Sequence, residues 1–236
     1  MENNKKYIDN YTRFKDASWF PEETVNIIIG GAGGISSWTT LFLARAGFKP
    51  YVFDFDTVET HNLGGQIFLN EDVNKPKVEA LKHIVEKITN TSIIIKQEEY
   101  NENSISHNFM ISGFDNMKAR KDMFNNWLKA VKKWESEGRD VKNTPIFIDG
   151  RLLMENMQIF CVTPYNYTKY EDYLFDDSKI QDEPCTLKQT SHSAAMIASH
   201  MVGFFTNHYH NCLHDVKRQV PFMLEYFIPL NYLKYV

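Results

Sequence analysis

The sequence predicts an α/β fold, in which a mostly parallel sheet carries helices on both faces and some antiparallel strands follow in the C-terminal half. Short continuous apolar runs such as Val25–Ile29 are typical of parallel strands that are covered on both sides. Segments such as Lys77–Thr89 instead place apolar residues three or four apart, as in a helix with one buried face. Strands and helices that alternate in this way form an open sheet of parallel strands.

The same patterns place each element along the chain. Strands are expected at Val25–Ile29, Tyr51–Phe55, Ser92–Ile95, Phe109–Ser112 and Thr144–Asp149, followed by an antiparallel strand at Met157–Thr163. Helices are expected at Ser37–Ala46, Lys77–Thr89, Lys118–Glu137 and Thr190–His208. Also expected are a helical segment over residues 1–24, a crossover loop over residues 164–190 and a strand or hairpin over Phe222–Val236. A chain of 236 residues can bury one sizeable core, so we expect a single domain over residues 1–236.

Composition and charge are those of an ordinary soluble protein. Hydrophobic residues make up 43% and charged residues 24% of the chain, and a net charge of −4 gives no reason to expect binding to nucleic acid. The sequence shows no apolar run long enough to span a membrane and no secretion signal at its start, so we expect a cytoplasmic protein. The cysteines Cys161, Cys185 and Cys212 are far apart and form no Cys-x-x-Cys pair. We therefore expect reduced thiols and no structural zinc.

A glycine-rich turn between the first strand and the first helix predicts a nucleotide site. The turn contains Gly31, Gly33 and Gly34, and the acidic Asp54 follows twenty residues after the last of these glycines. Glycines allow backbone N–H groups to approach a phosphate at the positive end of a helix. A carboxylate at the end of the next strand can bind the ribose hydroxyls. This arrangement is typical of a Rossmann-like nucleotide-binding fold.

The residues after this turn resemble those of the E1-like family, which includes ThiF, MoeB, HesA and the ubiquitin-activating enzymes. An Asp-x-Asp-x-Val motif lies at Asp54–Val58, an Asn-Leu-x-x-Gln motif at Asn62–Gln66 and a Pro-Lys pair at the end of Asn74–Lys77. A second block, Ile111–Arg120, resembles the family's Asp-Asn-x-x-x-Arg segment. The resemblance covers the first half of the chain well and the second half loosely.

The resemblance implies a homodimeric adenylyltransferase that uses ATP and Mg²⁺. Its substrate would be the C-terminal carboxylate of a small ubiquitin-like or sulfur-carrier protein. In such an enzyme Lys77 would bind the phosphates, Asp115 would hold the magnesium ion, and Asp54 would bind the ribose. Four more residues of the same motifs are implied to contact the nucleotide: Asp56, Asn62, Gln66 and Asn116.

Simpler interpretations of two of these residues remain open. Lys77 could be a solvated lysine at the start of a helix, and Asp115 could be a helix N-cap. Their common register with the other motifs favours the functional interpretation.

The chain departs from the family at Gly65, where relatives carry an arginine that reaches the phosphates. Loss of that arginine removes a strong charge-assisted contact. Arg13 or Arg151 could take its place, and Arg13 resembles an N-terminal arginine that relatives supply across a dimer. Alternatively, the enzyme could be slow, or the chain could be a nucleotide-binding interaction protein that adenylates nothing.

Cys185 lies in Glu183–Lys188, which resembles the Cys-Thr-Leu-Arg segment around the catalytic cysteine of ubiquitin-activating enzymes. A thiolate at this position could attack an acyl-adenylate and form a thioester. The alternative is a partly buried structural cysteine. Cys161, in an apolar strand, and Cys212, after a histidine-rich helix, are expected to be inert.

Two further possibilities fit parts of the pattern. The glycine turn with Asp54 also fits an NAD-dependent oxidoreductase, although the blocks Asn62–Lys77 and Asp115–Arg120 have no function there. A small-molecule acid could also replace the protein as the substrate of adenylation.

Overall fold

The computed structural model describes residues 10–139, 145–175 and 190–236. The strands in these residues are β1 (Asn26–Gly30), β2 (Lys49–Phe53), β3 (Ile94–Lys96), β4 (Phe109–Ser112), β5 (Ile146–Leu153), β6 (Asn156–Val162), β7 (Met223–Phe227) and β8 (Tyr232–Tyr235). The α-helices are α1 (Gly34–Arg45), α2 (Lys77–Thr89), α3 (Met117–Ser136), α4 (Tyr167–Glu171) and α5 (Ser191–Leu213). Each of the predicted strands and the four long predicted helices is present, with boundaries shifted by a few residues. None of the helices among the described residues could span a membrane.

The described strands form one sheet with the order β3-β2-β1-β4-β5-β6-β7-β8. Neighbouring strands from β3 to β5 run parallel, because a helix or a long connection returns the chain to the same edge between them. The pairs β5–β6, β6–β7 and β7–β8 are antiparallel. The predicted sheet, mostly parallel with antiparallel strands in the C-terminal half, is confirmed.

The strand order reverses between β1 and β4, which is where an open parallel sheet offers a ligand site. The chain moves from β1 outward to β2 and β3 and then returns to β4 on the other side of β1. Gly30 at the end of β1 pairs with Phe53 on one side and Ser112 on the other, and Ser112 pairs with Asp149. The loops that follow these strands therefore start at the same level of one sheet edge.

Hydrophobic clusters cover both faces of the sheet. Successive residues of β1 point to opposite faces, so Ile27 and Ile29 belong to one cluster and Ile28 to the other. Helices α1, α2 and α5 pack on the first cluster, and α3 and α4 pack on the second. The indole of Trp127 on α3 is completely buried there. The prediction of helices on both faces is confirmed, and the carboxyl edge of the parallel strands stays open between the two layers.

The described part of the N-terminal segment departs from its prediction after Asn10, which is helical. Residues 11–16 form hydrogen-bonded turns rather than a continuous helix, and residues 1–9 lie outside the described part of the chain. The turns bring the rings of Tyr11, Phe14 and Phe20 into mutual contact. Aromatic packing at short sequence separation therefore replaces the regular helical spacing that the sequence suggested.

The predicted crossover loop over residues 164–190 begins with structure of its own. The short helix α4 forms because Tyr170 is completely buried against the rings of Phe124 and Phe147. Residues 176–189 lie outside the described part of the chain. The first part of this segment is therefore docked on the second hydrophobic cluster.

Candidate functional site

The glycine turn joins the end of β1 to the start of α1. Gly31 has a φ of 87°, which favours glycine, and its N–H donates to the carbonyl of Phe53 over 2.8 Å. A Cβ atom placed on Gly30 would lie 2.3 Å from the ring of Phe114. By contrast, a Cβ atom on Gly33 would meet no atom of the described residues within 4 Å. The space above Gly33, at the N-terminus of α1, is therefore open to a ligand.

The N-terminus of α1 is suited to bind an anion. Gly33 is the N-cap and no side chain caps the helix there, so the first N–H groups of the helix have no intrahelical partner. These groups and the helix dipole favour a negative charge at this end. The predicted phosphate-binding glycines Gly31, Gly33 and Gly34 thus lie at a helix N-terminus that is suited to bind an anion.

Asp54 follows β2 and is oriented by the neighbouring backbone. One carboxylate oxygen accepts the N–H of Ala32 over 2.6 Å, and the other accepts the N–H of Asp56 over 2.8 Å. Burial raises the pKa of Asp54 although these hydrogen bonds and Lys77 act in the opposite direction. Because a carboxylate can accept about four hydrogen bonds, two acceptor positions remain for the hydroxyls of a ribose.

Lys77 is a buried cation at the first residue of α2. Its side chain is only 9% exposed, and its ammonium lies 2.8 Å from a carboxylate oxygen of Asp56. The backbone N–H of Lys77 also donates to the carbonyl of Asp56. The alternative that Lys77 is a solvated lysine is therefore wrong. Because Asp56 remains 47% exposed, an anion other than Asp56 can approach the Lys77–Asp56 ion pair.

The segment with Asn62 and Gln66 forms a 3-10 turn, Thr60–Gly64. The side-chain oxygen of Asn62 accepts the N–H of Glu59 over 2.9 Å, so Asn62 stabilises the turn itself. The side-chain oxygen of Gln66 is buried without a hydrogen-bond partner among the described residues. A buried acceptor without a donor is costly, so a hydrogen-bond donor on a ligand could satisfy this oxygen.

Gly65 lies next to α1. Its carbonyl accepts a hydrogen bond from the indole nitrogen of Trp38 over 3.3 Å, which fixes this part of the turn against the helix that begins at the glycine turn. A longer side chain at this position would start close to the first turns of α1. The structure therefore places position 65 against α1, the helix whose N-terminus is the candidate phosphate site.

Asp115 and Asn116 lie in the loop between β4 and α3. The side-chain oxygen of Asn116 accepts the N–H of Ala119 over 2.8 Å and caps α3, so the alternative that Asp115 is the N-cap is wrong. Asp115 is exposed, and among the described residues its carboxylate contacts the amide of Asn116 at 3.5 Å. One carboxylate oxygen of Asp115 is therefore available to a metal ion, whereas the side chain of Asn116 is engaged as the cap of α3.

Comparison with known protein families gives a match to the ThiF family over residues 22–226, most of the chain. The chain is a member of the ThiF family. Over 85 residues it is 32% identical to ubiquitin-like modifier-activating enzyme 5 of Rattus norvegicus and of Mus musculus. The matched segment covers 36% of this chain but only 21% of those relatives.

Solved structures with the same fold include MccB and PaaA. MccB of E. coli, solved with ATP, has a TM-score of 0.66 and 15% identity, and the match covers 98% of this ThiF-family chain and 70% of MccB. MccB has also been solved with AMPCPP and selenomethionine MccA. PaaA has a TM-score of 0.67 and 16% identity, and the match covers 99% of this chain and 71% of PaaA. At such identities the likeness shows a shared fold.

Arg13 and Arg151, the proposed substitutes for the family arginine, lie elsewhere. Next to Arg13, the hydroxyl of Tyr11 contacts Ala44 at the C-terminal end of α1, a helix of 12 residues and thus about 18 Å in length. Arg13 is exposed and lies far from the glycine turn of its own chain. The guanidinium of Arg151 is bound to the buried Asp149 over 2.7 Å. In the ThiF-family chain as described, neither cation reaches the predicted phosphate site.

Cys185 lies outside the described residues, so the structure does not place the predicted nucleophile. Burial raises the pKa of the Cys161 thiol and, with a small opposing effect of Lys217, raises the pKa of the Cys212 thiol to about 11. A thiol must be ionised to act as a nucleophile. Cys161 and Cys212 are therefore poor nucleophiles at neutral pH, as expected.

A buried ionic cluster beside the Asp115 loop was not predicted from the sequence. It contains Asp149 and Tyr170 together with Arg120 and Arg151. The available signal was a charged residue inside the apolar run of β5, because a charge at such a position requires partners. The sequence does not show which residues are these partners, because this depends on how β5 packs against α3 and α4.

Proposed function

We propose that this ThiF-family chain uses ATP to adenylate the C-terminal carboxylate of a small ubiquitin-like or sulfur-carrier protein. The observation that carries the proposal is the convergence of four groups at the carboxyl edge of β1, β2 and β4. These groups are the open helix N-terminus at Gly33, the acceptor Asp54, the buried cation Lys77 and the exposed carboxylate Asp115. The complex of MccB with AMPCPP and MccA supports a polypeptide as the second substrate.

The proposed chemistry explains why these groups are required. A carboxylate oxygen of the substrate attacks the α-phosphorus of ATP and forms a new P–O bond. The bond from this phosphorus to the α,β-bridging oxygen breaks, and pyrophosphate leaves with the electron pair. Because negative charge accumulates on the phosphate oxygens, the site must present positive groups before the reaction begins. The N-terminus of α1 and the ammonium of Lys77 can do this.

Lys77 would change partner when ATP binds. Its ammonium is held by Asp56 at 2.8 Å, so the cation is already oriented and largely desolvated. An incoming phosphate can share or replace this carboxylate, since a buried cation interacts strongly with any anion close to it. Asp56 therefore keeps Lys77 in place for the phosphate, and Asp54 would hold the ribose.

Asp115 is suited to coordinate a magnesium ion. Mg²⁺ in nucleotide sites is held by one or two carboxylates together with phosphate oxygens and water, and Asp115 offers one exposed carboxylate. No group of three or more potential metal-binding side chains occurs within the described ranges. When bound, the ion would neutralise charge on the phosphates.

The remaining features of an E1-like enzyme are part of the same proposal. Cys185 would accept the acyl group as a thioester, and two copies would form a homodimer in the cytoplasm. In that dimer Arg13 would reach the phosphates of the partner copy. The distance between Arg13 and the glycine turn of its own chain supports a role across a dimer rather than within one copy.

One observation favours a second function, that of a nucleotide-binding interaction protein. Gly65 supplies no cation beside the site, and Arg151 is engaged with Asp149. A site with Lys77 alone could bind ATP without accelerating the attack on the α-phosphorus. An NAD-dependent oxidoreductase has less support, since the ThiF match extends over residues 22–226.

ATP–pyrophosphate exchange tests the proposal. We expect exchange that depends on an added ubiquitin-like or sulfur-carrier protein and that is lost in Asp115→Ala. The matched control is Asp122→Ala, which removes a carboxylate in the second turn of α3 and should leave exchange intact. ATP binding without exchange, whatever partner is added, would contradict adenylation and favour the interaction protein.

A further inference from the structure

A buried carboxylate lies directly behind the loop that carries Asp115. Asp149 is completely buried in β5. One of its oxygens accepts a hydrogen bond from Arg120, and the other accepts from Arg151 over 2.7 Å and from the hydroxyl of Tyr170 over 2.9 Å. Burial raises the pKa of Asp149, but the two guanidinium groups lower it by more, so this carboxylate stays ionised. We call these four residues the Asp149 network.

Arg120 connects the Asp149 network to the loop. One of its terminal nitrogens bonds Asp149 and also donates to the carbonyl of Gly150 over 3.0 Å. The other terminal nitrogen donates to the carbonyl of Phe114. This carbonyl belongs to the peptide bond that precedes Asp115. The planar guanidinium therefore fixes the orientation of that peptide relative to the sheet.

The backbone of Asp115 is held on both sides while its side chain is exposed. Before it, the carbonyl of Phe114 is bonded by Arg120. After it, Asn116 caps α3 through the N–H of Ala119. The direction in which Asp115 presents its carboxylate is thus set through the backbone on both sides, and the amide of Asn116 also contacts one carboxylate oxygen at 3.5 Å.

The far side of the Asp149 network is anchored to the start of the crossover segment. Arg151 donates to the carbonyl of Tyr173 over 3.0 Å and to the hydroxyl of Tyr170 over 3.3 Å. Its guanidinium also lies 4.7 Å from the ring centre of Phe160. Asp149 therefore cannot turn away from Arg120 without breaking contacts on α4 and β6.

Stability alone gives a weak reason for such a network. Burial of a carboxylate with two guanidinium groups has a large desolvation cost, and apolar side chains of similar volume are often as stabilising. A planar cation that bonds three acceptors does, however, define a geometry that apolar packing does not. Hydrogen-bonded groups behind a metal ligand commonly control how well that ligand binds the ion.

We propose that the Asp149 network is a positioning device for magnesium binding by Asp115. Arg120 sets the peptide before Asp115, and Asp149 holds Arg120 in the required orientation. The inference rests on the proposed function only for the role of Asp115 as the ligand of ATP-bound Mg²⁺. It adds Arg120 and Asp149 as positioning residues, with Arg151 and Tyr170 as their support.

The test measures the dissociation constant of ATP from the full chain in Mg²⁺ and in EDTA. The EDTA value divided by the Mg²⁺ value is called the magnesium gain. In wild type we expect a large magnesium gain, most of which Asp115→Asn removes. Arg120→Lys keeps a positive charge for Asp149 but cannot bond Phe114 at the same time. We expect it to reduce the magnesium gain by about tenfold or more, as changes behind a metal ligand do, with the affinity in EDTA nearly unchanged.

Matched controls separate positioning from folding. Leu128→Ala removes a buried side chain of α3 outside the Asp149 network, and it should lower thermal stability while the magnesium gain is kept. Tyr170→Phe removes a hydroxyl that bonds Asp149 and should reduce the gain. Tyr173→Phe should not, because its hydroxyl makes no hydrogen bond to the described residues.

The outcomes are distinct. If Arg120→Lys lowers thermal stability like Leu128→Ala but keeps the magnesium gain, the cluster is merely structural and the inference is overturned. A wild-type protein without any magnesium gain also overturns it. If the gain is present in wild type and lost in Arg120→Lys, but no partner induces pyrophosphate exchange, the inference holds and adenylation is the claim that fails.

Discussion

Gly33→Asp should stabilise the protein and strongly weaken its nucleotide binding. Gly33 is the N-cap of α1 with an extended backbone, φ −75° and ψ −155°, and has no capping side chain. A Cβ atom there meets nothing within 4 Å among the described residues, so an aspartate can adopt the cap conformation without strain. Its carboxylate would accept an N–H of the first turn and interact favourably with the helix dipole.

The two effects can be estimated separately. The cap, the dipole and the lost freedom of glycine in the unfolded chain together contribute about 1 kcal/mol. For a chain of this length that corresponds to a rise of about 2–4 °C in Tm. A carboxylate about 5 Å from a phosphate charge, at an effective dielectric constant of about 20, repels it by about 3 kcal/mol. ATP affinity should therefore fall roughly 200-fold.

Thermal unfolding and calorimetric titration with ATP measure both effects on the same samples. Gly33→Ser is the matched control, because it adds a neutral cap and should raise Tm slightly with a much smaller loss of affinity. If Gly33→Asp raised Tm and bound ATP like wild type, the N-terminus of α1 would not be the phosphate site.

Three further predictions follow from the described contacts. Lys77→Met should weaken ATP binding by tenfold or more in titrations, since it removes a desolvated cation, whereas Lys75→Met, at a half-exposed side chain, should have little effect. Gly30→Ala should lower the free energy of unfolding in urea by about 1–3 kcal/mol, because its Cβ would lie 2.3 Å from the ring of Phe114; an unchanged midpoint would contradict this packing. Burial raises the pKa of Asp54 above 3.8. The protonated carboxyl of Asp54 therefore contributes fully to the unfolding free energy below the unfolded pKa, and this contribution is lost as pH rises through the native pKa. The unfolding free energy of Asp54→Asn relative to wild type should therefore increase with pH over this range, and a flat difference would argue against a raised pKa.

Local patterns predicted the first half of the fold and most of the residues that we propose for the nucleotide site. The apolar run of β1, the glycines after it and Asp54 follow one another within a short stretch, and each has a local physical meaning. The register of the sheet then brought Gly30 and Ser112 to the same level. The loop with Asp115 could thus be placed beside the glycine turn from the expectation that parallel strands share one edge.

The parts that escaped prediction depend on tertiary contacts. Asp149 and Arg120 are 29 residues apart, and nothing in their local sequences shows that α3 places one against the other. Asp115 and Asn116 are both good N-cap residues, so only the observed hydrogen bond to Ala119 assigns the cap to Asn116. Tyr11 is engaged through ring contacts that no helical spacing reveals.

Gly65 marks where this ThiF-family chain differs from the pattern it resembles. The turn is fixed by Trp38 through the carbonyl of Gly65, and the oxygen of Gln66 is buried without a partner among the described residues. A ligand that donates a hydrogen bond to this oxygen would compensate for part of the missing contact. This part of the candidate site thus offers a buried acceptor at Gln66 but no side-chain cation at position 65.

The most direct test of adenylation is the nucleotide product formed with a carrier protein that ends in a free carboxylate, compared with the same carrier amidated at its C-terminus. Attack on the α-phosphorus requires the carboxylate oxygen and releases pyrophosphate, so AMP should form with the free carboxylate when the acyl-adenylate is trapped with hydroxylamine. No AMP should form with the amidated carrier. AMP formed equally with both carriers, or ADP as the product in place of AMP, would contradict the account.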